Sequence, residues 1–129
     1  MGRSMTTRTA ACSCGQLSAA CIGEPKSVSL CHCNECRKRT GSAFGIAVFF
    51  ARENVLITGQ FASYTRTSDS RHAVTFHFCQ RCGGSVFWEP SRKRDEIAVA
   101  YGAFADQDFP PPSKEVYVEL RHPWVRNAI

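Results

Sequence analysis

The stretch CHCNEC, residues 31–36, places three thiols within six residues and organises the interpretation of the whole chain. In an extended segment, side chains two residues apart point to the same face, so Cys31 and Cys33 can bind one ion from one side. The C-x-x-C spacing between Cys33 and Cys36 folds into a tight knuckle that adds a third sulfur. The stretch therefore predicts a self-contained three-thiolate metal site.

Two further cysteine motifs lie on either side of this stretch. Cys12 and Cys14 form a C-x-C pair before it, and Cys79 and Cys82 form a C-x-x-C pair after it. Zinc is the usual metal for thiolate clusters of this kind, and it binds four ligands tetrahedrally. Four thiolates close a structural site, whereas three leave an open coordination position, as catalytic zinc requires. Counting thus predicts two zinc ions per chain, one structural and one catalytic.

Other arrangements of the eight cysteines stay open at this point. Cys33 and Cys36 could pair with Cys79 and Cys82 as a zinc ribbon, which would leave the earlier cysteines without a metal. A disulfide framework is disfavoured because the motifs are tight and no secretion signal precedes them. The eighth cysteine, Cys21, follows two alanines and is interpreted as a small buried apolar residue.

Short β-branched and aromatic runs, separated by glycine and turn residues, predict a mostly β protein of small antiparallel sheets. The chain allows at most one or two short helices, the clearest being Asn34–Thr40, ended by Gly41. A proline-rich segment, Asp106–Lys114, is expected to be a loop. The candidate strands are Leu17–Ile22, Val28–His32, Ile46–Phe50, Val55–Ile57, Ala62–Arg66, His72–Phe78, Ser85–Trp88, Ile97–Tyr101 and Val116–Leu120.

Length and composition indicate one soluble globular domain. The 129 residues are 43% hydrophobic and 21% charged, and no apolar run is long enough to cross a membrane. We expect residues 1–9 to be a tail and residues 10–129 to form the domain. The absence of an apolar stretch behind the basic N-terminus predicts a cytoplasmic protein. Seven thiolates and two divalent ions would lower the formal charge from +5 to about +2, so weak, non-specific nucleic-acid binding is expected.

The three motifs, in this order, resemble the glutathione-dependent formaldehyde-activating family, also known for the domain of centromere protein V. The matching positions, between about Ala11 and Val125, are Cys12, Cys14, Gly15, Cys31, His32, Cys33, Cys36, Arg37, Lys38, Gly41, Ser42, Phe78, Cys79, Cys82, Gly83, Pro123 and Trp124. The resemblance implies two antiparallel sheets in a compact coiled β fold linked by zinc. It also implies a structural zinc on Cys12, Cys14, Cys79 and Cys82. A catalytic zinc is implied on Cys31, Cys33 and Cys36, which disfavours the ribbon pairing.

One segment departs from the family pattern. Members commonly carry a Gly-Ser-Leu-Asp-like turn after the late strand, where this chain has Gly102-Ala103-Phe104-Ala105-Asp106. If this segment shapes the substrate pocket, the aldehyde differs from the formaldehyde that names the family.

A three-thiolate zinc suits a thiol ligand better than water, because three anionic donors weaken the Lewis acidity of the ion while a fourth thiol is deprotonated on binding. With the resemblance, this predicts a carbon–sulfur lyase similar to S-(hydroxymethyl)glutathione synthase, acting on glutathione and formaldehyde or their adduct. Arg37 and Lys38, with Arg39 after them, are the candidate partners of the glutathione carboxylates. Cytidine deamination is excluded, because it needs an H-x-E glutamate and a P-C-x-x-C pair that this chain lacks.

A second class of function stays open beside the enzyme. Both metals could be structural in a non-catalytic, zinc-stabilised module that binds nucleic acid or protein, or the chain could carry glutathione without transforming it. The third thiolate and the modest corrected charge favour the enzyme.

Overall fold

Ten strands and one α-helix form the chain in the computed structural model, which describes residues 6–67 and 71–126. The strands are β1 (Thr7–Ala11), β2 (Ser18–Ile22), β3 (Ser27–Cys31), β4 (Gly45–Ala51), β5 (Val55–Thr58), β6 (Phe61–Thr67), β7 (Ala73–Cys79), β8 (Ser85–Pro90), β9 (Glu96–Ala100) and β10 (Lys114–Val116). The helix α1 covers Asn34–Thr40. Short 3₁₀ turns lie at Arg52–Asn54, Tyr101–Phe104 and Val118–Leu120.

The strands form two sheets. A three-stranded sheet has the order β1-β2-β5, and a seven-stranded sheet has the order β10-β3-β4-β9-β8-β7-β6. Neighbouring strands are antiparallel except at one edge, where β10 runs parallel to β3. The mostly β fold with small sheets and one short helix is confirmed.

The two faces of the large sheet have different surroundings. One face packs into the main core, in which Phe50, Val86 and Val99 are fully buried together with Ala19 and Cys21 from the small sheet. The strand register places an apolar row on the other face, with Phe49 opposite Ala98, Ala98 opposite Trp88 and Trp88 opposite Phe76. This second face is the floor of a cleft described below.

Helix α1 begins and ends where its sequence predicts. Cys33 is the N-cap residue, and its sulfur accepts a hydrogen bond from the Cys36 amide at 3.3 Å. Gly41 ends the helix with a φ of 66°, a left-handed conformation that glycine adopts without a steric cost. The predicted helix Asn34–Thr40, ended by Gly41, is confirmed.

Two segments differ from the expectations. Residues 7–9, expected in the tail, belong to β1, which pairs with β2 and buries Ala10 completely; residues 1–5 lie outside the described residues. The sequence signal was weak because β1 has no large apolar side chain. The predicted strand Val116–Leu120 is wrong beyond Val116, since Tyr117 has a φ of 55° and a 3₁₀ turn follows. Its alternating apolar side chains are exposed, so no burial supports an extended strand.

None of the helices in the described part of the chain is long and apolar enough to cross a membrane.

Candidate metal centres

Four cysteines from two distant segments of the chain meet at one corner of the fold. Cys12 and Cys14 lie in the loop after β1, while Cys79 ends β7 and Cys82 lies in the turn before β8. The four Sγ atoms all lie within 4.8 Å of one another. We call this group the four-cysteine cluster.

The spacing of these sulfurs fits a tetrahedral metal site. The Sγ atoms of Cys12 and Cys14 are 3.7 Å apart, and those of Cys14 and Cys79 are 3.6 Å apart. A tetrahedron with zinc–sulfur bonds of about 2.3 Å has sulfur–sulfur edges of about 3.8 Å. The donors are all thiols, which zinc prefers, so the cluster fits the ion that the family resemblance implies.

Hydrogen bonds favour the thiolate form at the centre of this cluster. Burial opposes ionisation of Cys79, but Gln16 Nε2 donates to its sulfur at 3.0 Å and the amides of Arg81 and Cys82 donate at 3.2 and 3.4 Å. Together these donors lower the pKa of Cys79 to about 5. These donors therefore favour the thiolate form of Cys79, which is the form that binds a metal ion.

The second group, the three-cysteine cluster, contains Cys31, Cys33 and Cys36. Cys31 is the last residue of β3, Cys33 caps α1 and Cys36 lies in its first turn. Their Sγ atoms are also within 4.8 Å of one another. The cluster thus supplies three thiol donors from one continuous segment, as the motif spacing predicted.

Arg39 brings a positive charge to this cluster. Hydrogen bonding with Cys31 lowers the pKa of Cys36 to about 6 against the effect of burial, with Cys33 and the Arg39 guanidinium acting in the same direction. The guanidinium lies 4.1 Å above the Trp88 ring centroid. A Cβ on Gly45 would lie 2.8 Å from Arg39 Nη2, so the glycine leaves room for this group.

A cavity of about 220 Å³ opens beside the three-cysteine cluster, and we call it the cleft. Cys31 and Cys36 form part of its wall. Its floor is the apolar row of the large sheet, with Phe49, Phe76 and Trp88. A smaller cavity of about 140 Å³ lies next to it, where Glu35 and all three cysteines face the space.

Five basic side chains line the cleft, and we call them the cleft cations. They are Arg39, Arg66, Arg92, Lys93 and Lys114. Apart from Arg39, none of these was identified from the sequence, because the five cleft cations come from four separate segments that only the folded chain brings together. Sequence patterns relate residues that are close along the chain, whereas the cleft is formed by residues from different strands and loops.

Arg37 and Lys38, the candidate partners of the glutathione carboxylates, lie outside the cleft. Arg37 donates to Asn34 Oδ1 at 2.8 Å and to His122 Nε2 at 3.1 Å. The Lys38 side chain is 77% exposed, with Nζ 4.0 Å from Glu35 Oε2. Neither residue lines the cleft. Their role in substrate binding stays a prediction.

The remaining cysteine expectations concern Cys21 and the ribbon pairing. Cys21 is fully buried in the main core, as interpreted from the sequence. A ribbon would require Cys33 and Cys36 to meet Cys79 and Cys82, whereas the structure places the two pairs in separate clusters.

The segment that departs from the family pattern lines a different cavity. Residues 102–105 face an open cavity of about 790 Å³ next to the four-cysteine cluster, with Gly83 and Gly84 on its other side. Arg39 lines both this cavity and the cleft. The unusual turn is therefore close to the cleft without forming its wall.

Comparisons with known proteins agree with the cysteine pattern. The family model described as "Glutathione-dependent formaldehyde-activating enzyme" matches residues 7–120. No curated protein matches the chain significantly. Among solved structures, the crystal structure of a Rhodobacter sphaeroides protein has a TM-score of 0.58 and 17% sequence identity, covering 83% of this chain and 98% of that one. At this identity the structural likeness shows a shared fold alone.

Proposed function

The chain belongs to the glutathione-dependent formaldehyde-activating enzyme family, and we propose that it is a zinc-dependent carbon–sulfur lyase. Its substrates are glutathione and an aldehyde of the formaldehyde type, or the adduct of the two. The observation that carries this proposal is the position of the three-cysteine cluster, whose Cys31 and Cys36 face an open cleft.

The two clusters fit two metal ions with different tasks. In the proposal, the four-cysteine cluster holds a structural zinc and the three-cysteine cluster holds a catalytic zinc. Cys31, Cys33 and Cys36 would hold this ion, and when bound it would supply the positive charge that favours the thiolate, nucleophilic form of a substrate thiol. Cys31 and Cys36 line the cleft, and all three cysteines line the smaller cavity next to it, so a substrate sulfur has a path to the cluster.

The reaction forms or breaks one carbon–sulfur bond. The glutathione sulfur attacks the carbonyl carbon of the aldehyde, the carbon–oxygen π pair moves to oxygen, and the resulting alkoxide takes a proton to give S-hydroxymethylglutathione. No oxidant is needed, and the reverse reaction releases the aldehyde. Among the described residues that line the two cavities at the cluster, Glu35 is the one carboxylate. We assign to Glu35 the proton that leaves the thiol and returns to the alkoxide.

Arg39 supports this chemistry through its positive charge. Three thiolates and one divalent ion leave the site with a net negative charge, and the guanidinium over Trp88 compensates it. We infer that Arg39 keeps Cys36 anionic while the substrate thiolate approaches.

The experiment is an exchange measurement by NMR with ¹³C-formaldehyde and glutathione. Formaldehyde adds to glutathione without a catalyst, so the measured quantity is the exchange rate above that background. We expect zinc-loaded protein to accelerate exchange and Cys33→Ser protein, checked for folding by circular dichroism, to return it to background.

Two outcomes would contradict the lyase. Glutathione binding without any acceleration would indicate a carrier. Unchanged exchange in Cys33→Ser would show that the three-cysteine cluster is not the catalytic site.

A further inference from the structure

His32 lies between two cysteines of the three-cysteine cluster and is the most deeply buried side chain of their segment. It is 0% exposed, whereas no residue of α1 is buried. Neighbouring side chains of an extended segment point to opposite faces, so the ring is directed away from the sulfurs of Cys31 and Cys33. It packs against the Phe44 ring, with centroids 5.9 Å apart, and lines neither cavity at the cluster. The ring therefore supports the cluster from behind.

One hydrogen bond of the side chain holds this ring. His32 Nε2 donates to Glu115 Oε2 at 2.6 Å, while His32 Nδ1 is buried and has no hydrogen-bond partner among the described residues. Loss of the Glu115 carboxylate would leave the imidazole buried with neither nitrogen paired, and such a loss favours displacement of the ring. Because His32 joins Cys31 to Cys33 in the chain, a displaced ring would change the positions of both sulfurs.

The Glu115 carboxylate is itself held by the C-terminal segment. Glu115 is the middle residue of β10, which pairs with β3. Arg121 Nη1 lies 3.6 Å from the same oxygen that accepts from His32, and the Glu115 side chain is 17% exposed. The backbone adds a second link, since the His32 amide donates to the Val116 carbonyl oxygen at 3.2 Å. A segment more than 80 residues away in the sequence thus holds the ring between the two cysteines.

The position of His32 makes this contact important for a metal site. Cys31 ends β3 and Cys36 lies in α1, while His32 and Cys33 form the junction and belong to neither element. The two elements fix the backbone on either side, and the His32–Glu115 contact fixes the junction between them. Removal of a residue that orients metal ligands in this way typically lowers metal affinity by about 10- to 100-fold.

We infer that Glu115, acting through His32, is a positioning residue of the three-cysteine cluster and sets its affinity for a metal ion. The inference rests on the proposed function only for the presence of an ion at this cluster. Glu115 lines neither cavity at the cluster, so its effect reaches the site through the cysteines and not through contact with a substrate.

The test is a cobalt(II) titration of protein that already holds zinc at the four-cysteine cluster. The visible absorption of cobalt reports the geometry of its thiolate ligands, and competition with a chelator gives its affinity. We expect Glu115→Ala to bind cobalt at least about tenfold more weakly, with an altered absorption spectrum. Glu115→Gln keeps an oxygen that can accept from His32 and should stay within about threefold of the natural protein. Elemental analysis should show the first zinc retained in both variants.

Glu119→Ala is the matched control for the loss of a carboxylate in the same segment. Glu119 is exposed and makes no ion pair among the described residues, so this variant should bind cobalt like the natural protein. A loss in Glu119→Ala equal to that in Glu115→Ala would assign the effect to the charge of the segment and overturn the inference.

A double-mutant cycle tests whether Glu115 acts through His32. His32→Phe keeps a buried ring and removes the hydrogen bond, so it should reproduce the weaker cobalt binding of Glu115→Ala. The double variant should lose nothing further, because both changes remove the same contact. Additive losses would show that Glu115 acts by another route and would overturn the inference.

The remaining outcomes separate this inference from the proposed function. Unchanged affinity and spectrum in Glu115→Ala, or an equal loss at both metal sites, would overturn the positioning role even if the natural protein accelerates formaldehyde exchange. A cobalt affinity that falls as expected, in a protein that does not accelerate exchange, would support the positioning role and contradict the lyase. A natural protein that binds no second ion would contradict both.

Discussion

The Sγ atoms of Cys14 and Cys79 are 3.6 Å apart although 65 residues separate them in the chain. This contact joins the loop after β1 to the turn between β7 and β8. Because these two segments are far apart in the chain, an ion bound between them would close a long loop. An ion at the three-cysteine cluster would close only the short segment 31–36, whose position β3 and α1 already fix.

The two clusters should therefore differ in their effect on folding. We expect Cys14→Ser and Cys82→Ser to yield insoluble or unfolded protein, because a structural zinc contributes roughly 10–16 kcal/mol in small domains, against a whole stability of about 5–15. Cys33→Ser should stay folded and lose one metal ion. Circular dichroism and elemental analysis measure both. Equal unfolding in Cys33→Ser would make the second cluster structural as well.

Gly59 is a second position at which the fold depends on a close approach of two backbone segments. It has a φ of 106°, and a Cβ there would lie 1.9 Å from the carbonyl oxygen of Gln16, the residue that donates to Cys79. Gly59→Ala should lower the free energy of unfolding by more than about 2 kcal/mol. Gly102→Ala, where no atom lies within 4 Å, is the control. Similar denaturation midpoints for the two variants would contradict this account.

The sequence predicted the local parts of the site better than the parts built across strands. Motif spacing identified the cysteine pairs, because each pair acts through a turn of two to four residues, whereas their division into two clusters rested on the count of thiolates and on the family resemblance. Helix α1 could be located since its end, Gly41, is a local signal, whereas its cap, Cys33, was seen only in the structure. The strand β1 could not be located from the sequence, because its pairing with β2, rather than a pattern in its own residues, holds it extended.

The charges of the cleft illustrate the same limit. Arg66 and Lys114 lie 48 positions apart, on the two edge strands of the large sheet, and nothing between them indicates that they share a cavity. Only the strand order places them around the same floor.

Glu89 should make the stability of the fold sensitive to acid. Burial opposes its ionisation, but Arg52 at 2.8 Å and His77 at 2.6 Å donate to the carboxylate and hold its pKa below the ordinary value. Because the folded-state pKa is depressed, the carboxylate stabilises the fold above its unfolded pKa of about 4.3, and this is lost as the pH falls through the folded pKa. Glu89→Gln should thus be less stable at pH 7.

The difference between the natural protein and Glu89→Gln should close below about pH 4 in denaturant titrations at several pH values. Glu53→Gln changes an exposed carboxylate that makes no ion pair among the described residues, and it should follow the natural protein throughout. A constant difference for Glu89→Gln from pH 7 to pH 3 would contradict the linkage.

Glu35 should affect the rate more than binding. Replacing it with glutamine removes the proposed proton acceptor, so the exchange rate should fall by about 100-fold, the lower range for general acid–base catalysis, with glutathione affinity nearly unchanged. Lys38→Gln breaks the same ion pair but keeps the carboxylate, and it should retain most of the rate. Equal losses in the two variants would assign the effect to the ion pair.

The central claim is that the three-cysteine cluster binds the sulfur of the substrate through its open side. A crystal structure of zinc-loaded protein with glutathione tests it most directly. We expect a metal ion held by Cys31, Cys33 and Cys36, with the glutathione sulfur about 2.3 Å from it. A fourth ligand from the chain itself, or a glutathione whose sulfur lies away from this metal, would contradict the account.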